Sequence, residues 1–265
     1  MPTELGPHHR RIAAVRELRT PRGRRAEQRY AAEGATLLAE AERSGVRPVE
    51  IYVTPAALAE LDAAHWEAGG SPVYVVPERA FARLSDLETP SGLLAIFALP
   101  ADDPAAVLAR PGLVLLLAGV NDPGNAGTLV RSAEAFGAAG VLFGRGGADP
   151  FAPKVVRAAM GTGFRLSLAT VGPDEVVAAA RAAGRPIVAA DVEGEPLDEA
   201  TLPAGAVIAI GNERRGVRDW LPAWDRAVRI PQRGAVESLN AAVAGSIVLY
   251  VASRCQEGCQ AAEKC

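Results

Sequence analysis

Residues 114–131 read Val-Leu-Leu-Leu-Ala-Gly-Val-Asn-Asp-Pro-Gly-Asn-Ala-Gly-Thr-Leu-Val-Arg. The stretch begins with a continuous apolar run, which is typical of a parallel strand that is buried on both faces. A loop rich in Gly, Asn and Asp follows, and these residue types suit turns and positive φ angles. The pattern then predicts a helix at about residues 126–136. A strand, a loop and a helix in this order indicate one unit of an α/β domain.

The same alternation continues to the end of the chain. Its strands are predicted at residues 141–143, 166–168, 187–190, 207–210 and 227–230, and its helices at 153–160, 174–183 and 239–253. This spacing predicts a doubly wound α/β sheet. Ligands bind outside the carboxyl ends of the strands in such sheets. We therefore expect the functional site in the loops that follow strands.

The N-terminal part of the chain predicts a smaller α/β domain. Its helices are predicted at residues 10–19, 35–43 and 55–66, and its strands at 49–53, 73–76 and 93–97. Two prolines and two adjacent aspartates mark a linker at 98–104. The predicted organisation is a first domain at 1–97, that linker, a larger domain at 105–254 and a tail at 255–265.

Composition narrows the class of protein. The chain has 265 residues, of which 49% are hydrophobic, so it can form a sizeable core. It has no apolar run of about 18 residues and no secretory signal at its N-terminus, and we expect a cytoplasmic protein without membrane contact. Its cysteines, Cys255, Cys259 and Cys265, do not match the usual spacing of a zinc site. We therefore expect no metal and a frayed tail.

Charge is unevenly distributed along the chain. The net charge is −3, yet residues 10–29 carry eight arginines and only two glutamates. Such a basic segment can neutralise the phosphates of a nucleic acid, and Arg22, Arg24 and Arg25 are its candidate contacts. The alternative is a solvated helix face with a charged loop. Arginine greatly outnumbers lysine throughout the chain, so part of this basic character is compositional.

Two further loops after strands have unusual sequences. Residues 211–216 read Gly-Asn-Glu-Arg-Arg-Gly, and residues 230–240 read Ile-Pro-Gln-Arg-Gly-Ala-Val-Glu-Ser-Leu-Asn. Each has an ordinary structural explanation, as does the loop at 119–127. The loop at 211–216 would be an ordinary turn. Asn125 and Ser238 would be helix N-caps, and Arg131 would be a solvated surface charge.

Together and in this order, the three loops resemble the three motifs of the SpoU (TrmH) family of RNA ribose 2′-O-methyltransferases. The matching segments are Asn125–Arg131, Gly211–Gly216 and Ile230-Pro231 with Ser238–Asn240. The resemblance covers about residues 105–254. The N-terminal region is similar to the substrate-binding domain that many members carry. One departure is Pro-Gln-Arg-Gly after Ile230, where relatives often have Met and Gly.

The resemblance implies a fold, a cofactor and an assembly. The fold would be a knotted α/β methyltransferase (SPOUT-like) domain beside a smaller RNA-binding domain. The cofactor would be S-adenosylmethionine (AdoMet), held by Gly211, Ile230 and Leu239. Members of the family are homodimers with the site at the subunit interface.

The resemblance also implies which side chains form the site. Asn125, Arg131, Glu213, Ser238 and Asn240 match the family's catalytic or site-shaping positions. Lys154 and Arg157 resemble basic positions that contact RNA in relatives, although a solvated helix face explains them equally well.

The residue types agree with this chemistry. AdoMet carries no phosphate, and no Gly-x-Gly-x-x-Gly loop follows a predicted strand here. What remains is to orient a ribose hydroxyl and to help remove its proton. The histidines, His8, His9 and His65, lie outside the catalytic region. Arginine is a poor base, so we assign Arg131 to positioning and charge stabilisation.

Other functions have less support from the sequence. A Lys-Asp-Lys-Glu methyltransferase is excluded because the chain has only Lys154 and Lys264. A nicotinamide enzyme lacks support without its glycine fingerprint. A non-catalytic RNA-binding protein would be expected to lose Arg131 or the Ser-x-Asn of the third loop, and both are present. The N-terminal domain favours ribosomal (23S) RNA as substrate over transfer RNA, by analogy alone.

Overall fold

The structure is a computed structural model that describes residues 1–198, 202–234 and 238–262, with side chains as far as Cys255. The chain forms two compact units. The first unit is Met1–Pro100 with Phe151–Phe164, and the second is Ala101–Pro150 with Arg165–Cys265. None of the described helices combines the length and the apolar content needed to cross a membrane.

The first unit is a mixed sheet with short helices. Its elements are β1 (Thr3–Glu4), α1 (Arg10–Glu17), α2 (Pro21–Glu27), β2 (Arg29–Glu33), α3 (Ala35–Arg43), β3 (Glu50–Val53), α4 (Pro55–Leu58), α5 (Ala63–Ala68), β4 (Val73–Val75), α6 (Glu78–Phe81) and β5 (Leu93–Ala98). The strand order is β1-β4-β3-β5-β2, and β5 runs antiparallel to both of its neighbours. Alternate residues of β3 enter different cores: Ile51 and Val53 pack with Leu37, while Tyr52 packs with Phe81.

The second unit contains the predicted parallel sheet. Its elements are α7 (Pro104–Ala109), β6 (Val114–Ala118), α8 (Pro123–Ala135), β7 (Gly140–Gly144), β8 (Ser167–Val171), α10 (Pro173–Ala182), β9 (Ile187–Pro196), β10 (Val207–Gly211), β11 (Arg226–Arg229) and α11 (Ala241–Ala262). The strand order is β11-β9-β10-β6-β7-β8, and every pair is parallel. The residues of β6 and β10 are all buried, as their continuous apolar sequences predict.

A segment between β7 and β8 belongs to the first unit. It carries α9 (Pro153–Ala158), which contacts β2. Val156 joins the core around Tyr30, and the ring of Phe151 lies 4.9 Å from the Tyr30 ring. The sequence pattern assigns this helix to the larger domain instead, because it lies between two of that domain's strands.

Other elements differ from the sequence pattern for local reasons. β1 and β2 were not predicted, since β1 has two residues and β2 begins and ends with charged side chains. The helix predicted at 55–66 is divided, because the Asp62 side chain accepts the His65 amide at 3.0 Å and starts α5.

The C-terminal tail also differs from its prediction. Helix α11 runs to Ala262 without a break at residue 254, so residues 255–262 are helical and not frayed. The Cys259 side chain and Cys265 lie outside the described part of the chain.

Candidate active site

The carboxyl ends of the parallel strands bring the predicted loops to one edge of the second unit's sheet. We call residues 119–122, 211–216 and 230–240 the first, second and third loops; residues 235–237 of the third lie outside the described part of the chain. They follow β6, β10 and β11. A cavity of about 900 Å³ opens beside the second and third loops. Predicted site residues among those that line it are Gly211, Glu213, Ile230, Ser238 and Leu239.

A chain of side-chain amides leads to the cavity. The Asn240 Oδ1 atom accepts the backbone amides of Ala242 and Val243 at the start of α11. Its Nδ2 atom donates to the Asn125 Oδ1 atom at 3.0 Å, and the Asn125 Nδ2 atom donates to the Glu213 Oε1 atom at 2.7 Å. Because each amide has a fixed acceptor end and a fixed donor end, the chain orients the Glu213 carboxylate.

The capping roles considered for Asn125 and Ser238 are wrong. The N-cap of α8 is Asp122, whose side chain accepts the Asn125 amide at 2.8 Å. The side chain that accepts the first free amides of α11 is that of Asn240. Asn125 is therefore free to bind Glu213 through its side chain, and Ser238 lies exposed on the cavity wall.

Arg131 does not join this chain of amides. It is exposed, and its guanidinium makes no hydrogen bond or ion pair with any residue that the structure describes. On α8 it lies six residues after Asn125, which is about 9 Å along the axis and roughly 240° around it. The α8 face next to Asn125 is the one that packs on α11, where Ser132 and Ser246 hydrogen-bond at 2.7 Å. Arg131 lies on a different face, open to solvent.

The second loop is a tight turn built around Asn212. Its backbone exchanges two hydrogen bonds with Gly216, at 3.1 and 2.9 Å. Its Nδ2 atom donates to the Gly119 carbonyl at 3.1 Å, which ties the second loop to the first. A Cβ atom on Gly211 would lie 2.2 Å from backbone atoms of Gly216 and Val217. Position 211 therefore requires glycine.

Asp191 and Arg218 form a charged pair in the cavity wall that sequence reasoning missed. The Arg218 Nε atom lies 2.8 Å from an Asp191 carboxylate oxygen, and Nη2 lies 2.7 Å from Glu193. The Asp191 side chain is only 7% exposed. Hydrogen bonding from Arg218 lowers the pKa of the Asp191 carboxyl below its ordinary value. The available signal was the sequence Asp-Val-Glu at 191–193, directly after the predicted strand at 187–190.

Trp220 holds the ends of two strands together. Its indole Nε1 atom donates to the Arg145 carbonyl at 2.9 Å. The ring lies against Gly119 and Gly144, and a Cβ atom on Gly144 would lie 2.7 Å from it and 2.8 Å from the Leu117 carbonyl oxygen. These contacts fix the ends of β6 and β7.

We expect Gly144→Ala to lower the stability of the second unit by about 1–3 kcal/mol, because the new methyl group overpacks the site. The measurement is denaturant unfolding followed by tryptophan fluorescence. Gly6→Ala is the control, since a Cβ atom there would meet nothing within 4 Å. Equal stability of the two variants would show that Trp220 moves aside without cost.

The predicted RNA contacts of the basic segment differ in their exposure to solvent. Arg22 and Arg25 are exposed on α2. Arg24 is 2% exposed and donates to the Leu18 carbonyl at 2.8 Å. Its assignment as a phosphate contact is therefore wrong: the guanidinium lies inside the first unit, where it supports the turn between α1 and α2.

The predicted contacts on α9 also differ from each other. Lys154 is exposed. Arg157 forms a two-pronged ion pair with Asp86, with one Nη2–Oδ2 distance of 2.9 Å, and its side chain is 22% exposed. The guanidinium fork of Arg157 is thus already occupied by a carboxylate.

Comparison with known proteins identifies this arrangement. Residues 112–250 match the model of the SpoU rRNA Methylase family. The chain belongs to the SpoU family. Residues 9–95 match the MRM3-like substrate binding domain, which covers most of the first unit. The three loops described above lie within the SpoU match.

Proteins similar to this SpoU protein are found both by sequence and by structure. The 23S rRNA (guanosine(2553)-2′-O)-methyltransferase RlmP of Bacillus subtilis is 30% identical over 91% of this chain and 95% of its own. The 23S rRNA (uridine(2479)-2′-O)-methyltransferase of Streptomyces viridochromogenes is 37% identical over 63% of this chain and 61% of its own. The crystal structure of an AdoMet-bound rRNA methyltransferase from Sinorhizobium meliloti is similar with a TM-score of 0.80 at 29% identity, covering 95% of this chain and 97% of its own.

Proposed function

We propose that this SpoU protein transfers a methyl group from AdoMet to a ribose 2′-hydroxyl of 23S ribosomal RNA. The observation that carries the proposal is the hydrogen-bonded chain Asn240–Asn125–Glu213, which ends at a cavity lined by the second and third loops. The similarity to two 23S rRNA 2′-O-methyltransferases supports the substrate. Those two relatives are named for different nucleotides, a guanosine and a uridine.

The cavity suits AdoMet in size and in chemistry. Its volume lies in the usual range for small-molecule sites, about 300–1,000 Å³. Ile230 and Leu239 offer apolar contact to an adenine ring, and the close turn at Gly211 exposes backbone to the ligand. The carboxylates of Asp191 and Glu193 together carry one more charge than Arg218, which pairs with both, and this excess favours a cationic ligand. When bound, AdoMet supplies a methyl group that is already electrophilic.

The protein's own task is then to place a weakly reactive hydroxyl. Glu213 is oriented by Asn125, and only one of its carboxylate oxygens is used in that contact. Ser238 adds a hydroxyl on the cavity wall. We assign Arg131 to holding the substrate through a neighbouring phosphate, because a planar guanidinium binds phosphate oxygens in a bidentate manner.

We propose that the protein acts as a homodimer. Helix α11 exposes two large apolar side chains, Val243 and Tyr250, with exposed fractions of 50% and 52%. They lie seven residues apart, so they share one face of the helix. We also propose that the larger domain has the knotted topology of the family. We further propose that the protein is located in the cytoplasm, where ribosomal RNA is modified.

The test is methyl transfer from tritiated AdoMet to unmodified RNAs transcribed in vitro. We expect incorporation approaching one methyl group per 23S rRNA, with none into 16S rRNA or transfer RNA. Incorporation into transfer RNA alone would contradict the substrate. RNA binding without any incorporation would contradict the enzymatic activity and favour a non-catalytic RNA-binding protein.

The basic segment gives a separate prediction. We expect Arg22→Gln/Arg25→Gln to make the fall of log affinity with log salt less steep. The slope should decrease in magnitude by about 0.7–0.9 for each phosphate that is no longer bound, because each bound phosphate releases counterions. The measurement is filter binding of 23S rRNA at several salt concentrations. Arg79→Gln/Arg83→Gln is the matched control, since both of these arginines are exposed in the same unit. An equal slope in the two double variants would assign α2 to the solvated surface.

A further inference from the structure

The second loop and the residues just after it carry three arginines at the cavity wall, Arg214, Arg215 and Arg218. Arg218 is neutralised by Asp191 and Glu193. Arg214 and Arg215 are exposed, and within the described part of the chain neither forms a hydrogen bond through its side chain or an ion pair. Two free guanidinium groups therefore stand at the rim of the cavity.

The backbone beneath these two arginines is fixed. The Asn212 Oδ1 atom accepts the backbone amide of Arg214 at 3.0 Å and that of Arg215 at 3.2 Å. The same side chain donates to Gly119 in the first loop. The turn therefore presents both side chains from a rigid base, although the side chains themselves extend into solvent. Ordering only a side chain on binding costs less entropy than ordering a whole loop.

The cofactor does not account for these charges. AdoMet carries a sulfonium cation, an ammonium cation and a single carboxylate, so its net charge is positive and it offers one anionic group at most to the two guanidinium groups. A ligand of net positive charge therefore leaves at least one of these two guanidinium groups uncompensated. A polyanion is the ligand that two free guanidinium groups attract, and phosphate oxygens match their planar geometry.

We propose that Arg214 and Arg215 bind the RNA backbone phosphates beside the nucleotide whose ribose is methylated. This inference rests on the proposed function and adds to it a substrate contact within the second loop. Glu213 immediately precedes the pair, and consecutive Cα atoms are only 3.8 Å apart. Phosphates held by the pair would thus bring the adjoining ribose next to the oriented Glu213 carboxylate.

The test is the double variant Arg214→Gln/Arg215→Gln, which removes both charges and keeps polar side chains of similar length. The loss of two phosphate contacts lowers the magnitude of the salt slope of RNA binding by about 1.4–1.8. Relative to wild type, the variant therefore loses roughly 25 to 60 times more affinity at 0.1 M salt than at 1 M salt. The probe is in vitro transcribed 23S rRNA in filter binding from 0.05 to about 0.5 M salt. AdoMet affinity, measured by calorimetry, is expected to be unchanged.

Two further variants separate this role from a structural one. Arg214→Lys/Arg215→Lys keeps both charges and should keep the salt slope. Arg110→Gln/Arg181→Gln removes two exposed arginines that precede β6 and β9, at the opposite end of the sheet, and should also keep it. An unchanged slope in the Gln double variant overturns the inference, as does a loss of AdoMet binding that matches the loss of RNA binding. If the wild-type protein binds 23S rRNA with the expected slope but transfers no methyl group, the proposed activity fails while this contact stands.

Discussion

Arg131→Ala is expected to lower kcat for RNA methylation by about 10²–10³, by analogy with the removal of a positioned hydrogen-bond donor in other enzymes. The affinity for AdoMet should be unchanged, because the cavity is formed by the second and third loops and Arg131 is not among the residues that line it. The loss should fall on kcat because RNA that stays bound through its other contacts, with its ribose hydroxyl no longer held in position, reacts slowly.

The surroundings of Arg131 strengthen this expectation. Its guanidinium has no partner within the described residues, so its removal breaks no internal contact and should not destabilise the fold. Arg131→Lys should also be slow, because lysine keeps the charge but loses the planar fork.

Single-turnover methyl transfer with saturating AdoMet measures this effect, and Arg181→Ala is the matched control because Arg181 is an exposed arginine on another helix, α10. If the Lys variant reacts at the wild-type rate, a simple point charge is enough. If the Ala variant does so too, Arg131 has no catalytic role and Glu213 becomes the next candidate.

Gly211→Ala is expected to weaken AdoMet binding by about 5- to 150-fold, or roughly 1–3 kcal/mol, because the cofactor can bind only when the second loop returns to the position from which the new methyl group displaces it. The new methyl group would lie 2.2 Å from the backbone carbon of Gly216 and the backbone nitrogen of Val217. Backbone atoms cannot rotate aside as a flexible side chain can, so the second loop itself must shift. That shift displaces part of the cavity wall.

Calorimetric titration with AdoMet measures this loss, and circular dichroism establishes that the variant is folded. Gly6→Ala serves as the control for the substitution itself, since its Cβ atom would have no neighbour within 4 Å. Wild-type affinity in folded Gly211→Ala would remove the second loop from the cofactor site.

The parallel sheet could be predicted because its strands are continuous apolar runs, as at Val114–Ala118 and Val207–Gly211. Burial on both faces leaves such a pattern in the sequence itself. The order of β9, β10 and β6 could not be predicted in the same way, because strand neighbours are set by connections between distant segments. The packing of α9 on the first unit could not be predicted for the same reason.

Arg24 shows a different limit of sequence patterns. Helix α2 has seven residues and no apolar periodicity, so nothing in its sequence indicates which side faces the core. An arginine that binds a carbonyl inside the protein and one that faces solvent look identical in such a stretch. The exposed Arg22 and Arg25 and the buried Arg24 were therefore grouped together.

The candidate site was predicted at the level of loops but not of contacts. Asn125 and Glu213 are 88 residues apart, and Asn125 and Asn240 are 115 apart, so only the fold brings them together. The resemblance supplied these three residues, and the structure joins them by hydrogen bonds. The pair formed by Asp191 and Arg218 belongs to no recognised motif, and only the rule that ligands bind at strand ends could have indicated Asp191.

In the proposed reaction the methyl group is transferred to a ribose oxygen. The most direct test incubates the protein with unmodified 23S rRNA and AdoMet that carries a deuterated methyl group, digests the RNA to nucleosides and determines their masses. We expect a labelled 2′-O-methyl nucleoside whose label stays with the sugar when the glycosidic bond is broken. A label that stays with the base would contradict it.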